Sequence, residues 1–273
     1  MAQELFRFDG KRVLVVGGAT GMGAAAAQIA QDLGGRIVVL DVADVTYPCE
    51  QKLAVDLSDK ASVDGVLAQL EGPFDSVFSC AGIADGPESL MRVNFISQRH
   101  IIDTLFADGR LRDGGAVAMI SSVGGLAWQS NLPQLQDFLS NDTWEGMQRW
   151  IDEHEGTNTY VFSKQVMNAY VASRAFEFAK RRMRINSIMP GGTDTPLARK
   201  HADVWLPFQA DYREATGLER LTPEKMGSVL AFLCMDAAVG INGTPILVDD
   251  GYCASGITGT FDSPTVKMLA GIA

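Results

Sequence analysis

Seven short apolar runs recur along the chain, and helix-length segments separate them. The runs do not alternate apolar with polar residues, which is typical of strands that are covered on both faces of a parallel sheet. The predicted strands are Val13–Val16, Ile37–Leu40, Lys52–Val55, Ser76–Ser79, Ala116–Ile120, Arg184–Ile188 and Pro245–Val248. The predicted helices between them are Ala24–Leu33, Lys60–Leu70, Ser89–Phe106, Tyr160–Arg182 and Pro223–Cys234. This order predicts an α/β fold with a doubly wound parallel sheet.

Two stretches interrupt this alternation. In residues 128–159, apolar residues recur at three- and four-residue intervals in two sets, which predicts a helical insertion of two short helices. The C-terminal tail, residues 253–273, has no predicted place in the sheet. Neither an internal repeat nor a Pro/Ser-rich linker divides the chain. We therefore expect residues 1–273 to form a single Rossmann-type domain.

Composition and charge narrow the classes of function. With 47% apolar and 21% charged residues, the chain of 273 residues can bury a full core. Its 23 basic and 33 acidic residues give a net charge of −10, which disfavours nucleic acid and anionic membranes as partners. The N-terminus lacks the layout of a signal peptide, and the cysteines and histidines lack the spacing of metal sites. A cytoplasmic protein without a bound metal is expected, with reduced thiols at Cys49, Cys80, Cys234 and Cys253.

A glycine cluster follows the first predicted strand. It reads Gly17-Gly18-Ala19-Thr20-Gly21-Met22-Gly23 and leads into the first predicted helix. Glycines at this place permit a tight turn and let backbone N–H groups approach a pyrophosphate. A purely structural turn is the alternative. Because strand, cluster and helix occur in the order that the dinucleotide fingerprint requires, we favour a dinucleotide site.

Asp41 ends the second predicted strand, 18 residues after Gly23. At this spacing a carboxylate accepts hydrogen bonds from the adenosine ribose and repels a 2′-phosphate. No Lys or Arg occurs between Gly17 and Gln28 to neutralise that phosphate. The sequence therefore favours NAD over NADP, the alternative being that Asp41 is an ordinary turn residue.

Tyr160 and Lys164 open the longest predicted helix. Their i,i+4 spacing places the phenol and the ammonium on one helical face. A neighbouring cation favours the phenolate, so we expect Lys164 to lower the pKa of Tyr160 toward the range of a general base.

The glycine cluster, Asp41 and the Tyr160 and Lys164 pair follow one another along the chain as they do in the short-chain dehydrogenase/reductase family. The chain resembles this family from about Lys11 to Gly251. Val16 to Gly23 correspond to the family's T-G-x-x-x-G-x-G, with Val16 in place of threonine. Cys80-Ala81-Gly82 corresponds to its N-A-G, with Cys80 in place of asparagine. Both departures concern hydrogen bonds of the loop framework more than the chemistry.

The resemblance implies four catalytic residues. Tyr160 would take the substrate's hydroxyl proton, Lys164 would lower the Tyr160 pKa and hold the nicotinamide ribose, and Ser122, preferred to Ser121, would bind the substrate oxygen. Asn94 would support a proton relay through water. The resemblance and the glycine cluster together imply cofactor contacts at Gly17, Thr20, Gly21, Met22, Gly23, Asp41, Asp56, Leu57, Ala81, Gly82, Tyr160, Lys164, Pro190, Gly191, Thr193 and Thr195.

Ser122 and Tyr160 lie 38 residues apart, whereas most family members separate these two groups by little more than a dozen. The extra length resembles the branch of 3α-hydroxysteroid dehydrogenase/carbonyl reductases and coniferyl alcohol dehydrogenases. It implies a NAD-dependent oxidoreductase that interconverts a secondary alcohol and a ketone on a bulky, largely apolar substrate. A non-catalytic cofactor-binding scaffold or redox sensor is one alternative. An enoyl reductase is a second, although that chemistry in this fold usually goes with a longer Tyr-to-Lys spacing than four. The family also implies a homo-oligomer, a dimer or a tetramer.

Two interpretations of the insertion stay open at this stage. Its helices could pack on their own domain or on a neighbouring subunit. They could instead form a lid whose tryptophans wall a pocket for a large substrate, together with Trp205 and Phe208. Those two residues belong to a segment, 196–220, that we expect to be a substrate lid.

Overall fold

The computed structural model describes residues 3–272 and contains a seven-stranded, fully parallel sheet with the order β3-β2-β1-β4-β5-β6-β7. Each predicted run lies in one strand, except that Val55 lies just after its strand, so the doubly wound Rossmann-type fold is confirmed. The strands are β1 (Arg12–Val16), β2 (Arg36–Asp41), β3 (Gln51–Ala54), β4 (Phe74–Ser79), β5 (Leu111–Ile120), β6 (Arg184–Pro190) and β7 (Pro245–Val248).

Helices cover both faces of the sheet. Helices α1 and α10 pack on one face around an alanine-rich cluster, and α2, α3 and α6 pack on the other. A π-helical turn, Arg92–Ile96, leads into α3. The described helices are α1 (Gly21–Asp32), α2 (Lys60–Gln69), α3 (Ser97–Ala107), α4 (Leu132–Leu139), α5 (Trp144–Glu153), α6 (Tyr160–Lys180), α7 (Pro196–Lys200), α8 (Ala202–Trp205), α9 (Ala210–Thr216), α10 (Pro223–Cys234), α11 (Tyr252–Thr258) and α12 (Pro264–Ala270).

The strand order reverses between β1 and β4. In open parallel sheets a crevice forms at such a point, outside the carboxyl ends of the strands, and ligands bind there. The glycine cluster follows β1 and Cys80 follows β4, so both line this crevice. In the part of the chain that the structure describes, no helix is long and apolar enough to cross a membrane.

The insertion packs on its own domain. Its helices α4 and α5 bury their apolar stripes in the same core as α3 and α6. The ring of Phe138 lies 5.8 Å from that of Phe95, 5.2 Å from Trp150 and 5.9 Å from Phe162. Among residues 3–272, none from the insertion lines either of the two described cavities. The packed helical pair is therefore the interpretation that the structure supports.

The segment 196–220 and the C-terminal tail form a separate apolar cluster. The ring of Phe208 lies 5.5 Å from that of Tyr252, and the rings of Tyr212 and Phe261 are 5.0 Å apart. Val266 of α12 completes this cluster and is fully buried. The tail, which had no predicted place, thus packs against the segment 196–220.

Candidate active site

The loop between β1 and α1 depends on two of its glycines. At Gly17, where φ is +80°, an added Cβ would lie 2.5 Å from the backbone of Ala81. At Gly23, an added Cβ would collide with the carbonyl oxygen of Gly17. The chain can therefore make this tight turn, close to the loop after β4, only with glycine at both positions.

The amino end of α1 suits an anion. Thr20 is the N-cap residue of this 12-residue helix, but, within the described residues, its side chain makes no capping hydrogen bond. By contrast, side chains cap α2, α6 and α10 through Asp59, Thr159 and Thr222. The first N–H groups of α1 and the helix dipole therefore fit a pyrophosphate at this position.

Asp41 is held at the carboxyl end of β2. One carboxylate oxygen accepts the N–H of Ala19 at 2.8 Å, and the other accepts the N–H of Ala43 at 2.9 Å. These bonds fix the carboxylate on the wall of the crevice and leave further acceptor capacity for hydroxyl groups. The geometry matches the expected contact with a ribose.

The first cavity has a volume of about 280 Å³ and extends from Asp41 past the glycine loop. None of its described lining residues is Lys or Arg. It brings together eleven of the predicted cofactor contacts: Gly17, Thr20, Gly21, Met22, Gly23, Asp41, Asp56, Leu57, Ala81, Gly82 and Thr195. The donor groups, the acidic residue and the shape fit a nicotinamide dinucleotide.

The second cavity has a volume of about 370 Å³ and continues from the first. Met22 at the start of α1, Ala81 after β4 and Thr195 after β6 line both cavities. Of the remaining predicted residues, the second cavity brings together Ser122, Tyr160, Lys164, Pro190, Gly191 and Thr193. One continuous groove therefore leads from Asp41 to the predicted catalytic groups.

The two serines at the end of β5 differ in their surroundings. Ser121 is buried, and its hydroxyl donates to the carbonyl of Lys164 at 3.1 Å. Ser122 is partly exposed, accepts the N–H of Gly124 at 3.1 Å and hydrogen-bonds to Tyr160. Of the two, Ser122 is the one whose hydroxyl lies beside the phenol.

Tyr160 differs from the sequence prediction in its pKa. Burial raises the pKa of Tyr160, the hydrogen bond from Ser122 offsets part of this, and the nearby Asp85 carboxylate raises it further. The prediction that Lys164 lowers the pKa of Tyr160 is therefore wrong for this arrangement. The Lys164 ammonium lies 5.3 Å from the centre of the Tyr160 ring and donates to the carbonyl of Ile120 at 2.9 Å.

Lys164 is 2% exposed. Because burial disfavours the ammonium, the pKa of Lys164 falls to about 8. The i,i+4 spacing was thus sufficient to predict that the two side chains are neighbours, but the spacing carries no information on their burial.

Asn94 lies behind these groups in the π-helical turn. Its side-chain oxygen accepts the N–H of Ile83 at 2.8 Å, and its amide donates to the carbonyl of Ile83 at 3.0 Å. An added Cβ on Gly82 would lie 3.7 Å from both the Asn94 oxygen and the Lys164 ammonium. Asn94 is fully buried and lines neither described cavity, so it positions the loop after β4 beside Lys164.

Asp85, Thr265 and Leu269 are among the residues of the second cavity that were not predicted as site residues. Asp85 accepts the backbone N–H of Tyr160 at 2.6 Å, and Thr265 and Leu269 come from α12. Their positions depend on how a loop and the tail fold back, which periodicity does not report. Trp205 and Phe208, considered as wall residues, do line this cavity, and the Trp205 ring lies 5.2 Å from the Tyr160 ring.

Gln209 links the segment 196–220 to the loop after β6. It is a buried non-glycine residue with a φ of +63°, and its side-chain oxygen accepts the N–H of Gly192 at 2.7 Å. Its amide donates to the carbonyl of Asp249 at 3.3 Å. Gly191 has no room for a side chain, because an added Cβ would lie 2.9 Å from the Cβ of Asp249 and 2.8 Å from the side-chain oxygen of Gln209.

The chain is similar to known oxidoreductases over most of its length. A family model described as enoyl-(acyl carrier protein) reductase matches residues 147–253. Coniferyl-alcohol dehydrogenase from a Pseudomonas species is 24% identical over 252 residues, covering 90% of this chain and 97% of the relative. The 3-alpha-hydroxysteroid dehydrogenase/carbonyl reductase of Comamonas testosteroni is 29% identical over 257 residues, covering 89% and 96%.

A solved structure shares the fold. The crystal structure of the 3-alpha-hydroxysteroid dehydrogenase from Pseudomonas sp. B-0831, complexed with NADH, aligns with a TM-score of 0.69 and 20% identity, covering 92% of this chain and 100% of that chain. The TM-score and the two coverages show that the shared fold extends over nearly the whole of both chains. The chain is therefore similar, in fold and over most of its length, to oxidoreductases of the short-chain dehydrogenase/reductase type.

Proposed function

We propose that this oxidoreductase uses NAD to interconvert a secondary alcohol and a ketone on a bulky, largely apolar substrate. One observation carries the proposal. Ser122, Tyr160 and Lys164 line the second cavity, which joins the cavity that fits the dinucleotide. A substrate oxygen in the second cavity would therefore meet a hydroxyl and a phenol beside the place of the nicotinamide.

The chain's own groups supply binding and proton transfer. NAD, when bound, supplies the hydride chemistry. The Ser122 hydroxyl would hydrogen-bond the substrate oxygen, and the Tyr160 phenol would exchange a proton with it. Lys164 would hold the nicotinamide ribose, and Asn94 would keep the loop after β4 in register with Lys164.

The raised pKa of Tyr160 affects how the rates of ketone reduction and alcohol oxidation depend on pH. A phenol that is protonated at neutral pH can donate its proton to a ketone oxygen, so the described arrangement favours reduction there. Alcohol oxidation requires the phenolate and should therefore speed up as the pH rises.

Asp41 supports NAD over NADP in this proposal. Its carboxylate is fixed at the cavity wall, and none of the described residues lining that cavity carries a positive charge. A 2′-phosphate would meet an unscreened like charge, which should cost about 1–3 kcal/mol, or tenfold and more in affinity. Asp41→Ala should narrow the gap in affinity between NADH and NADPH.

The walls of the second cavity support a large apolar substrate. Val204, Trp205 and Phe208 come from the proposed lid segment, and Leu269 faces them from α12. The names of two relatives, coniferyl-alcohol dehydrogenase and a hydroxysteroid dehydrogenase, indicate substrates of this kind. Assembly into a dimer or tetramer remains a prediction, and sedimentation can test it.

Tyr160→Phe tests the catalytic assignment. The variant removes one hydroxyl and leaves the glycine loop and Asp41 in place, so we expect a loss of at least about 10²-fold in kcat with an unchanged Kd for NADH. Ser121→Ala is the matched control, because it removes a neighbouring hydroxyl that donates to the Lys164 carbonyl rather than to the phenol. If Tyr160→Phe kept more than about a tenth of the activity, the phenol would not be the acid or base.

A further inference from the structure

The second cavity has one accessible charge. Among its described lining residues only Asp85 and Lys164 are charged. Lys164 is 2% exposed and its ammonium donates to the carbonyl of Ile120. Asp85 is exposed, so its carboxylate is the charged group that a molecule entering the cavity can reach.

A backbone bond holds this carboxylate in place. Asp85 accepts the N–H of Tyr160, the first residue of α6, at 2.6 Å. Tyr160 itself also lines the cavity. Because a carboxylate offers about four acceptor sites, one bond leaves Asp85 able to accept further hydrogen bonds from a ligand.

Other charges only partly offset the Asp85 charge. The amino end of α6 contributes a partial positive charge of about half a unit. The residues that the lid segment and α12 contribute to the cavity wall are apolar or hydroxylated, among them Val204, Trp205, Phe208 and Thr265. The chain as a whole carries a net charge of −10. Asp85 is therefore the accessible charge that a substrate in this cavity would meet, because Lys164 is buried.

We propose that Asp85 is a specificity-determining residue, which selects ketones and alcohols that carry a cationic or hydrogen-bond-donating group and disfavours carboxylates. This inference rests on the proposed function and adds the charge class of its substrate. Lys164 cannot give the opposite preference, because its ammonium is buried and already directed at a backbone carbonyl.

The charge of the substrate can be varied at constant shape. We suggest 4-acetylbenzoate, methyl 4-acetylbenzoate and 4-(aminomethyl)acetophenone as anionic, neutral and cationic aryl ketones, with kcat/KM measured from NADH consumption. The quantity of interest is the ratio of cationic to anionic kcat/KM within one enzyme. Comparing that ratio between enzymes cancels both the intrinsic reactivity of each ketone and any uniform loss of activity.

The variant is Asp85→Asn, whose side-chain oxygen can still accept the Tyr160 N–H. Glu88→Gln is the matched control, because Glu88 is exposed on the same loop but, among the described residues, is not one that lines the cavity. We expect the ratio in Asp85→Asn to be at least about fivefold lower than in the wild type, the size of one charge pair at about 4 Å in water. Glu88→Gln should keep the wild-type ratio, and added salt should reduce the wild-type ratio toward that of Asp85→Asn.

The possible outcomes distinguish a failure of the role of Asp85 from a failure of the proposed function. An unchanged ratio in Asp85→Asn, or an equal change in Glu88→Gln, overturns the role of Asp85 while the proposed function stands. If the wild type binds NADH but consumes it with none of the three ketones, the proposed function fails and the inference fails with it.

Discussion

Two segments place aromatic side chains next to α6 but pack in different surroundings. They are the insertion, residues 128–159, and the proposed lid segment, residues 196–220. Phe138 and Trp150 of the insertion lie in the main core. Trp205 and Phe208 of the lid segment line the second cavity. The insertion therefore completes the core, and the lid segment completes the site.

Polar anchors account for this difference. Arg99 on α3 is 8% exposed and donates to the carbonyls of Leu139 and Asn141, at 3.1 and 2.9 Å, which holds the end of α4 against the domain. In the lid segment, Gln209 accepts the N–H of Gly192, which lines the second cavity, and donates to the carbonyl of Asp249. Both segments begin at the carboxyl edge of the sheet, so their points of attachment alone do not decide where they pack.

The largest expected effect is the loss of a core ring in the insertion. Phe138 is fully buried among three aromatic rings, so Phe138→Ala should lower the free energy of unfolding by about 3–5 kcal/mol. Urea unfolding measures this directly. In the fraction that stays folded, the ratio of kcat/KM for bulky and small ketones should not change. A changed ratio would show that the insertion also acts in recognition.

The second effect is the stability cost of the buried Lys164 ammonium. Lys164 lies on α6, the helix against which the insertion also packs. Because the pKa of Lys164 falls to about 8 in the folded protein, its ammonium costs stability below that pH, and the cost disappears as the pH rises toward 10.5. Lys164→Met should therefore stabilise the protein by about 2–3 kcal/mol near pH 7 and by little near pH 10, while activity is lost. Urea unfolding at both pH values checks the sign. Equal stabilisation at both values would mean that packing, and not the buried charge, is responsible.

The smallest expected effect concerns the lid segment. Trp205 is partly exposed beside Tyr160, so Trp205→Ala should reduce kcat/KM for bulky ketones by about tenfold, or about 1.4 kcal/mol, and leave small ketones nearly unaffected. Its free energy of unfolding should change by less than about 1 kcal/mol. Each variant is the control for the other, because Phe138→Ala should change stability and Trp205→Ala should change the preference for bulky ketones. The distinction between the two segments is wrong if both variants change the same property.

The strands and the main site residues could be predicted from local patterns. Apolar runs mark buried strands, the glycine cluster marks the turn, and Tyr160 and Lys164 stand at helical spacing. The pKa of Tyr160 could not be predicted, because burial of the phenol and the direction of the Lys164 ammonium depend on tertiary packing. Asp85, Gln209 and Leu269 were missed for the same reason, since each reaches the site from a loop or the tail.

The proposed function requires that the protein turns over its cofactor and does not merely bind it. The most direct measurement adds wild-type protein to NADH, or separately to NADPH, with a bulky aryl ketone, and follows both cofactor absorbance and the alcohol formed. We expect one alcohol per NADH consumed, with kcat/KM for NADPH lower by about tenfold or more because of Asp41. Binding of NADH without consumption across a panel of ketones, and of NAD without reduction across the matching alcohols, would contradict the account and support the cofactor-binding scaffold instead.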